Sequence, residues 1–227
     1  MKLSSTINCK CNFSYCKKIF QYNKRPVGEK KYNIIGSYNR SYYECKLCNH
    51  LFAKINFKFK SLYSKEYFNL TYKNEKSLET KFKSIANLPK NRSDNKNRVE
   101  RINDYFFRKK TNSPKRVLDI GSGIGIFLYE MKKLKWKTQG IEFDKNYTNF
   151  CNKKLKLNII NKNFLSFKPT RKFDLITFNK VLEHIANPRQ LLKHATSLLN
   201  KNGVVYVEVP DSRVKKLGKF RDELNPA

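Results

Sequence analysis

A glycine-rich turn carries the clearest chemical signal in this sequence of 227 residues. Gly121, Gly123 and Gly125 follow one short apolar stretch and precede another, a pattern that predicts a strand, a turn and a helix. Glycine permits positive φ angles and lets a ligand approach the backbone closely. A dinucleotide-binding turn would need a further glycine where Ile126 stands, and the Gly-Lys-Ser/Thr of a phosphate-binding loop is missing. The turn is therefore expected to bind a ligand of another kind.

Two carboxylates accompany this turn. Asp119 precedes the first glycine by two residues, where it can accept hydrogen bonds from loop amides and hold the turn around a cationic ligand. Glu142 follows Gly125 by 17 residues, at the end of the next predicted strand, where a carboxylate can accept both hydroxyls of a ribose. Asp144 competes for that role, but it lies two residues further on, inside the expected turn. Because ligands bind at the carboxyl ends of parallel strands, Asp119 and Glu142 are predicted to face one site.

The spacing of apolar residues predicts the elements that position these side chains. A helix beginning within 91–97 carries Val99, Ile102 and Phe106 on one face. Beyond it, strands alternate with helices, which indicates an α/β fold with a Rossmann-like, doubly wound parallel sheet. The predicted strands cover 117–120, 138–143, 158–160, 173–178 and 204–209, and the predicted helices cover 126–134, 147–155 and 188–199.

Cysteines near the N-terminus form a candidate metal site. Cys45-Lys-Leu-Cys48 has the spacing of a zinc knuckle, whereas the cysteines before it are spaced irregularly. Without a recognisable secretory signal, clustered cysteines favour metal over disulfides. Reduced thiols without a metal are the alternative, and His50 is either a further ligand or a packing residue. The prediction is one zinc, bound by four of these five residues: Cys9, Cys11, Cys16, Cys45 and Cys48.

Residues 116–211 resemble class I S-adenosylmethionine-dependent methyltransferases, in particular the small-molecule subgroup called methyltransferase type 23. Four stretches carry the resemblance, in the family's order and spacing: Val117-Leu-Asp-Ile-Gly-Ser-Gly-Ile-Gly125, Gly140-Ile-Glu-Phe-Asp144, Phe173-Asp-Leu-Ile-Thr-Phe-Asn-Lys-Val-Leu-Glu-His184 and Val207-Glu-Val-Pro-Asp211. The resemblance implies a methyltransferase with S-adenosylmethionine as its cofactor.

The resemblance also assigns roles. The loop and Asp119 would contact the methionine end of the cofactor, Glu142 the ribose and Phe143 the adenine. Asn163 and Phe164 would lie at the edge of the adenine. Asn179 and Lys180, after the fourth strand, would line the methionine side. The implied cofactor-binding set is Asp119, Gly121, Ser122, Gly123, Gly125, Glu142, Phe143, Asn163, Phe164, Asn179 and Lys180.

His184 is the candidate general base, because an imidazole suits proton removal near neutral pH. A base is optional in methyl transfer, where positioning of the two reactants matters most. The Glu-His pair recurs in the subgroup with different acceptors, which favours a structural role for His184. His194 falls within a predicted helix and is expected at the surface.

The stretch from Tyr42 through Phe52 resembles the zinc-binding segment that precedes the methyltransferase domain in sugar C-methyltransferases. This similarity implies a small-molecule acceptor, a sugar or nucleotide-sugar. The predicted organisation is a zinc-ribbon-like segment at 1–55, a helical lid or linker at 56–114 and a cofactor-binding domain at 115–227.

The formal net charge of +31 raises a nucleic-acid alternative. Lys and Arg number 27 against 8 acidic residues in 1–115, and 22 against 10 in 116–227, so the excess is spread over both halves. That distribution favours a compositional bias over an RNA-binding tract. An RNA methyltransferase is the second hypothesis, and an inactive cofactor-binding or zinc-mediated interaction protein is the third.

The two chain ends give two further expectations. Class I sheets normally have seven strands, so a sequence with five predicted strands is expected to be C-terminally incomplete. No stretch approaches the roughly 20 apolar residues of a membrane span, and no apolar signal segment opens the chain. A cytoplasmic location is the resulting expectation. The oligomeric state stays open.

Overall fold

A computed structural model describes residues 9, 11, 15–27, 33–59, 75–108, 115–185 and 187–210. These residues belong to two compact units, one ending with residue 59 and one beginning with residue 75. We call them the cysteine unit and the sheet unit. Within the described ranges, no helix is long and apolar enough to cross a membrane.

The cysteine unit consists of short antiparallel strands. Strand β3 (Arg40–Cys45) is central and pairs with β1 (Cys16–Tyr22) and β4 (Leu51–Ile55), while β2 (Ile34–Ile35) pairs with β5 (Lys58–Phe59). Two adjacent tyrosines lie in β3, and the first of them, Tyr42, is almost fully buried. This arrangement matches the expected small ribbon of short strands.

The turn between β3 and β4 holds the second cysteine pair. The Cys45 N–H donates to the carbonyl of His50 at 3.0 Å, and the Asn49 N–H donates to the carbonyl of Cys45 at 3.0 Å. Asn49 has a φ of 56°, a conformation that asparagine tolerates better than most residues. The turn therefore folds Cys48 back towards the end of β3.

The sheet unit is a five-stranded parallel sheet with helices on both faces, in the order β10-β9-β6-β7-β8. This confirms the predicted Rossmann-like, doubly wound fold. The strand order reverses between β6 and β9, which places a ligand-binding cleft at their carboxyl ends. Its elements are α1 (Glu75–Ala86), α2 (Asp94–Arg108), β6 (Arg116–Ile120), α3 (Ile126–Lys133), β7 (Lys137–Glu142), α4 (Lys145–Lys154), β8 (Ile159–Asn161), β9 (Phe173–Asn179), α5 (Pro188–Ser197) and β10 (Leu199–Glu208), with short 3-10 helices at Lys90–Arg92, Phe164–Ser166 and Leu182–His184.

Local sequence explains where two of these helices begin. The Asp144 carboxylate accepts hydrogen bonds from the Asn146 and Tyr147 backbone N–H groups and so caps α4. Asn187 caps α5 in the same way, and Pro188 occupies the first helical position, where its missing N–H costs nothing.

Apolar residues form one cluster on each face of the sheet. Helices α1 to α4 cover the first cluster, which includes Val117, Leu128, Met131 and Phe150. Helix α5 covers the second, which includes Leu118, Phe173 and Phe178. Both faces of β6 are therefore buried, as expected for the central strand of a doubly wound sheet.

The start of β10 differs from the prediction. Helix α5 ends at Ser197 and β10 begins at Leu199, whereas the apolar pattern extends the helix to residue 199 and delays the strand to residue 204. Leu199 pairs with Phe173, and the register then shifts before Val204. Gly203 lies so close to the sheet that an added Cβ would meet the carbonyl oxygen of Phe173 at 2.8 Å. The first part of β10 is irregular, so its residues do not alternate between apolar and polar. The sequence pattern therefore could not show that the strand begins before Val204.

Helices α1 and α2 fall in the predicted lid or linker at 56–114. Leu78 and Phe82 of α1, and Val99, Ile102 and Phe106 of α2, are buried in the same cluster as residues of β6 and α3. Residues 60–74 and 109–114 of that range lie outside the described residues. The described helices are thus packed parts of the sheet unit.

Candidate functional site

The glycine loop follows β6 at the point where the strand order reverses. Gly121, Gly123 and Gly125 all have positive φ angles, of 67°, 52° and 76°. The Gly121 N–H donates to the carbonyl of Ile141 at 2.8 Å, and the Gly125 N–H donates to the carbonyl of Ser122 at 2.9 Å. Backbone bonds to β7 therefore hold the loop in its conformation.

Gly123 and Gly125 serve different purposes in this loop. A Cβ on Gly125 would come within 2.7 Å of the Leu157 side chain and 2.9 Å of the Cys151 sulfur. A Cβ on Gly123 would meet nothing within 4 Å. Gly125 thus permits close packing, whereas Gly123 leaves open space beside the loop for a ligand.

Glu142 is fixed at the end of β7, beside this open space. The Gly123 N–H donates to its Oε2 at 2.7 Å, and the Asp144 N–H donates to its Oε1 at 2.9 Å. Burial raises the pKa of Glu142 above its usual value, while these backbone donors act in the opposite direction. Each carboxylate oxygen can accept more than one hydrogen bond, so an oriented Glu142 retains capacity for two hydroxyls. Asp144 is used as the cap of α4, as its position two residues further on suggested.

Asp119 is buried, and its side chain binds residues of β9. This differs from the prediction that it would accept hydrogen bonds from the loop amides. Its Oδ1 accepts hydrogen bonds from the Thr177 hydroxyl at 2.6 Å and from the Asn179 side-chain amide at 2.9 Å. The loop N–H groups of Gly121 and Ser122 donate to the Ile141 carbonyl, and that of Gly123 donates to Glu142, so Asp119 binds across the sheet to β9. Burial raises the pKa of Asp119 to about 7, although Thr177, Arg98 and Asn179 each lower it.

Two buried polar atoms near Asp119 lack hydrogen-bond partners among the described residues. They are the side-chain oxygen of Asn179 and the hydroxyl oxygen of Ser122. A buried acceptor without a donor costs free energy, so such atoms point to a ligand. The Asn179 oxygen is suited to an N–H donor of a bound cation, because the amide nitrogen of the same side chain already contacts Asp119.

Two cavities meet at Gly121 and Lys180. The β7 cavity, of about 540 Å³, is lined by Gly123, Glu142 and Phe143 and by residues after β8 and β9. The α2 cavity, of about 450 Å³, is lined by Asp119, Ser122 and Asn179 and by residues of α2. A ligand longer than either cavity can lie across the loop, with one end beside Glu142 and the other beside Asp119.

The other predicted cofactor residues divide between these cavities. Phe143 is 61% exposed and lines the β7 cavity with Asn163 and Phe164. The Asn163 side chain accepts from the Leu165 N–H, and the Phe164 ring packs edge-on against Phe178, so both are held by the protein itself. Lys180, with a φ of 59°, donates its N–H to the Glu208 carbonyl.

The two histidines of the sheet unit have different surroundings. His184 is half-buried and lines the β7 cavity, and its backbone N–H donates to the carbonyl of Val181. His194 was expected at the surface, but it is half-buried: a ring nitrogen lies 3.1 Å from the Phe167 carbonyl, and the ring packs against Phe164. Its place on the inner side of α5 explains the difference.

An ion pair in the wall of the α2 cavity was not predicted. Arg98 of α2 binds both carboxylate oxygens of Glu208, through its Nε at 2.8 Å and through its Nη2. The sequence did contain a signal for this ion pair. Helical spacing places Arg98 on the same face as the apolar residues Val99 and Ile102, where a buried charged residue needs a partner of opposite charge.

In the cysteine unit, four of the five predicted cysteines come together: Cys9, Cys11, Cys45 and Cys48, whose sulfurs all lie within 4.8 Å of one another. The Cys9–Cys48 and Cys11–Cys45 sulfur separations are both 3.6 Å. Cys16 is outside this group and faces Cys45 as a strand neighbour. His50 lies with its Nδ1 at 3.6 Å from the Cys9 sulfur.

Burial alone would raise the pKa of the Cys45 thiol, but the backbone N–H groups of Cys48 and Leu47 lower it to about 6. These backbone donors therefore favour the thiolate form of Cys45. Thiolates are the form in which cysteine binds metal ions.

Comparison with known families agrees with this geometry. The family described as "Methyltransferase domain" (Methyltransf_23) matches residues 92–225, which is more than half of the sequence. The chain belongs to this family. The resemblance to class I S-adenosylmethionine-dependent methyltransferases is thereby confirmed, and the match begins before α2, so it includes that helix.

Curated relatives of this methyltransferase domain are named for quinone biosynthesis. The chain is 30% identical to the Ubiquinone biosynthesis O-methyltransferase of Glaesserella parasuis over 124 residues, covering 48% of this chain and 52% of that protein. It is also 30% identical over 110 residues to the mitochondrial enzyme of that name from Saccharomyces cerevisiae, covering 43% of this chain and 35% of that protein. The chain thus spans about half, or less, of the relatives it matches.

Solved structures show the same fold. The plantazolicin methyltransferase BpumL, solved with a desmethylPZN analogue and SAH, has a TM-score of 0.53 at 18% identity and covers 69% of this chain and 62% of its own. A S-adenosylmethionine-dependent methyltransferase from Clostridium acetobutylicum has a TM-score of 0.51 at 17% identity, covering 61% of both chains.

Proposed function

We propose that the protein is a methyltransferase that binds S-adenosylmethionine across the β7 and α2 cavities and methylates a small molecule. The observation that carries the proposal is Glu142, a half-buried carboxylate oriented by two backbone N–H groups at the edge of an open cavity. In this arrangement its free lone pairs would accept the two ribose hydroxyls. The exposed ring of Phe143 lies beside it and would pack on the adenine.

The polar atoms of the α2 cavity fit the amino-acid end of the cofactor. The unpartnered Asn179 oxygen would accept from the ammonium group, and the nearby Asp119 carboxylate would offset its charge. When bound, the cofactor supplies an electrophilic methyl group on a sulfonium. The chain's own residues hold the amino-acid end and the ribose, and so fix the orientation in which an acceptor can approach.

A small-molecule hydroxyl is the acceptor that we propose. The relatives' names support an O-methylated acceptor, and the N-terminal resemblance supports a sugar or nucleotide-sugar. His184 lines the β7 cavity, where its imidazole could accept a hydroxyl proton, or where its ring could serve only to shape the cavity wall. The two roles differ in the pH dependence of the rate. Replacing a general base removes the acidic limb of the pH–rate profile, whereas replacing a residue that only shapes the wall does not.

The cysteine unit is proposed to bind one structural zinc through Cys9, Cys11, Cys45 and Cys48. A tetrahedral zinc with bonds of about 2.3 Å places its sulfur ligands about 3.8 Å apart. The two measured separations of 3.6 Å fit that geometry. We therefore propose that residues 1–55 form a metal-binding segment and residues 115–227 form the cofactor-binding domain. The helices between them would pack on that domain.

Glu142 provides the direct test of cofactor binding. Glu142→Ala should weaken S-adenosylmethionine binding by about 1–3 kcal/mol in calorimetry, because polar groups of the ligand lose their partner. Glu130→Ala, which removes a carboxylate that pairs with Lys133 on α3 and lines neither cavity, is the control and should bind like wild type. Equal affinities in all three proteins would remove Glu142 from the ribose role.

The acceptor is tested with labelled cofactor and three substrate classes: nucleotide-sugars, hydroxyl-bearing precursors of ubiquinone and total RNA. Label in a sugar or in a ubiquinone precursor would support the proposal and choose between the two acceptors that the resemblance and the relatives' names suggest. Label at a defined RNA position, with none in the small molecules, would support the RNA alternative. Cofactor binding with label in none of them would support an inactive binding protein.

A further inference from the structure

Arg98 lines the α2 cavity and forms an ion pair with Glu208, and neither residue belongs to the predicted cofactor set. Arg98 and Glu208 are 110 residues apart in sequence and pair through two hydrogen bonds. Their side chains are 8% and 21% exposed. Burying two charges is costly unless they are well paired, so a pair at this position calls for a reason beyond stability.

The carboxylate of Glu208 is held from several sides. The Tyr206 hydroxyl lies 3.2 Å from its Oε2, and Arg101 lies 3.8 Å from the same oxygen. Burial alone would raise the pKa of Glu208, but the bonds from Arg98 lower it below its usual value, so the side chain is ionised. Glu208 is thus a rigid anion at the carboxyl end of β10.

Arg98 is in turn fixed by its partners. Besides Glu208, its Nη1 lies 3.3 Å from the side-chain oxygen of Asn95. These bonds use three of the five N–H groups of a guanidinium, which leaves two for another acceptor. Arg98 lines the α2 cavity together with Asp119 and Asn179, so a ligand in this cavity meets a guanidinium whose plane is already set.

We infer that Glu208 is a positioning residue for the cofactor: it fixes the Arg98 guanidinium in the wall of the α2 cavity, where the amino-acid end of the cofactor lies. The inference rests on the proposed function. A planar guanidinium recognises a carboxylate by paired N–H donors, and this recognition depends on orientation as much as on charge. The backbone of Glu208 is also fixed, since the Lys180 N–H, directly after β9, donates to its carbonyl at 2.8 Å.

Charge alone would predict the opposite effect of losing Glu208. Removing an anion beside Arg98 should strengthen the attraction of the cavity for a carboxylate ligand. A positioning role predicts weaker binding, because Arg98 loses the pair of carboxylate oxygens that sets its plane. The sign of the change in affinity therefore separates the two explanations.

The experiment compares two ligands on the full chain. S-adenosylhomocysteine has the amino-acid end, and 5′-methylthioadenosine lacks it. Glu208→Gln should weaken S-adenosylhomocysteine about ten-fold in calorimetry and leave 5′-methylthioadenosine within about two-fold. Glu208→Asp, which restores a carboxylate, should recover part of the loss. Glu130→Gln is the charge-matched control and should alter neither affinity.

Binding of 5′-methylthioadenosine also reports whether the variant is folded, because this ligand needs only the β7 cavity. Equal losses for both ligands, unchanged affinities or tighter binding of S-adenosylhomocysteine would each overturn the inference. If wild type binds neither ligand, the proposed function itself is wrong. The two failures are therefore distinguishable in one set of titrations.

Discussion

The cysteine unit and the sheet unit bury different kinds of side chain. Both apolar clusters of the described residues lie in the sheet unit, where large residues such as Phe150, Phe173 and Phe178 are at most 1% exposed. In the cysteine unit the most buried large residues are Arg40 and Tyr42, and Cys45 is fully buried beside the other thiols. One unit is stabilised by apolar burial, while the other encloses polar and sulfur atoms.

This difference separates the sources of stability. An extended apolar core stabilises the sheet unit, and burial in this unit also raises the pKa of Asp119 and of Glu142. A unit of about 60 residues without such a core usually needs a metal or disulfides. We therefore expect changes in the thiols to act on one unit and changes in the glycine loop to act on the other.

The largest effect is expected from removing the metal site. Cys45→Ser deletes one of the four clustered sulfurs, so zinc should be lost, together with about 10 kcal/mol of binding free energy that stabilises this unit. Elemental analysis should give one zinc per wild-type chain and none in the variant. Hydrogen exchange should become faster in 40–55 and stay slow in 116–142.

Cofactor titrations complete that measurement. S-adenosylhomocysteine affinity should be retained in Cys45→Ser, because the ligand's predicted contacts all lie in the sheet unit. A metal-free wild type with slow exchange in 40–55 would contradict the zinc proposal. Equal acceleration of exchange in both regions would show that the units do not fold separately.

A smaller effect is expected from two matched glycine substitutions in the loop. Both Gly125→Ala and Gly123→Ala place a side chain at positive φ, which costs about 1 kcal/mol. Only Gly125→Ala also forces a methyl group against buried Leu157 and Cys151, so it should destabilise the protein by about 2–4 kcal/mol in urea unfolding. Gly123→Ala should mainly weaken cofactor binding, and equal unfolding midpoints would refute the distinction.

The buried carboxyl of Asp119 gives the next effect. Its folded-state pKa of about 7 is higher than the value near 3.9 expected in the unfolded chain, so its contribution is greatest at low pH and is lost as the pH rises through 7. Between pH 5 and pH 8 this loss amounts to about 2–3 kcal/mol. In Asp119→Asn, the decrease in unfolding free energy between pH 5 and pH 8, measured by urea unfolding, should be smaller than in wild type by about 2–3 kcal/mol.

Thr177→Val tests the cause of that pH dependence. It removes a hydrogen bond that favours the ionised carboxyl, so the fall in stability should move to higher pH. If the pH dependence of Asp119→Asn matched that of wild type, another group would be responsible.

Much of the sheet unit could be predicted because its sequence signals are local. The glycine loop, the strand end at Glu142 and the cap at Asp144 each depend on residues close together in sequence. The fold prediction and the ribose candidate followed from these short patterns. The apolar periodicity of α2 likewise identified Val99, Ile102 and Phe106, all of which are buried.

The errors concern contacts between distant residues. Asp119 binds Thr177 and Asn179 from a neighbouring strand, and the Arg98–Glu208 pair connects the first and last elements around the cleft. A single sequence gives the residue types of such pairs but not which strand lies beside which. Among the cysteines, spacing identified the knuckle, but only the folded structure showed which four sulfurs lie within 4.8 Å of one another. Cys16, which pairs with Cys45 across two strands, is not one of them.

Cys16 therefore provides the smallest expected effect and the sharpest control for the zinc proposal. It lies at the start of β1, directly across from Cys45 in the antiparallel pair, so the two residues share a neighbourhood but not a role. If the metal is held by the four clustered sulfurs, Cys16→Ser should keep one zinc per chain and change unfolding by less than about 0.5 kcal/mol. Native mass spectrometry of Cys16→Ser beside Cys45→Ser makes the comparison. Loss of zinc from both would mean that Cys16 replaces one of the four, and His50, whose Nδ1 lies 3.6 Å from the Cys9 sulfur, would be the next ligand to test.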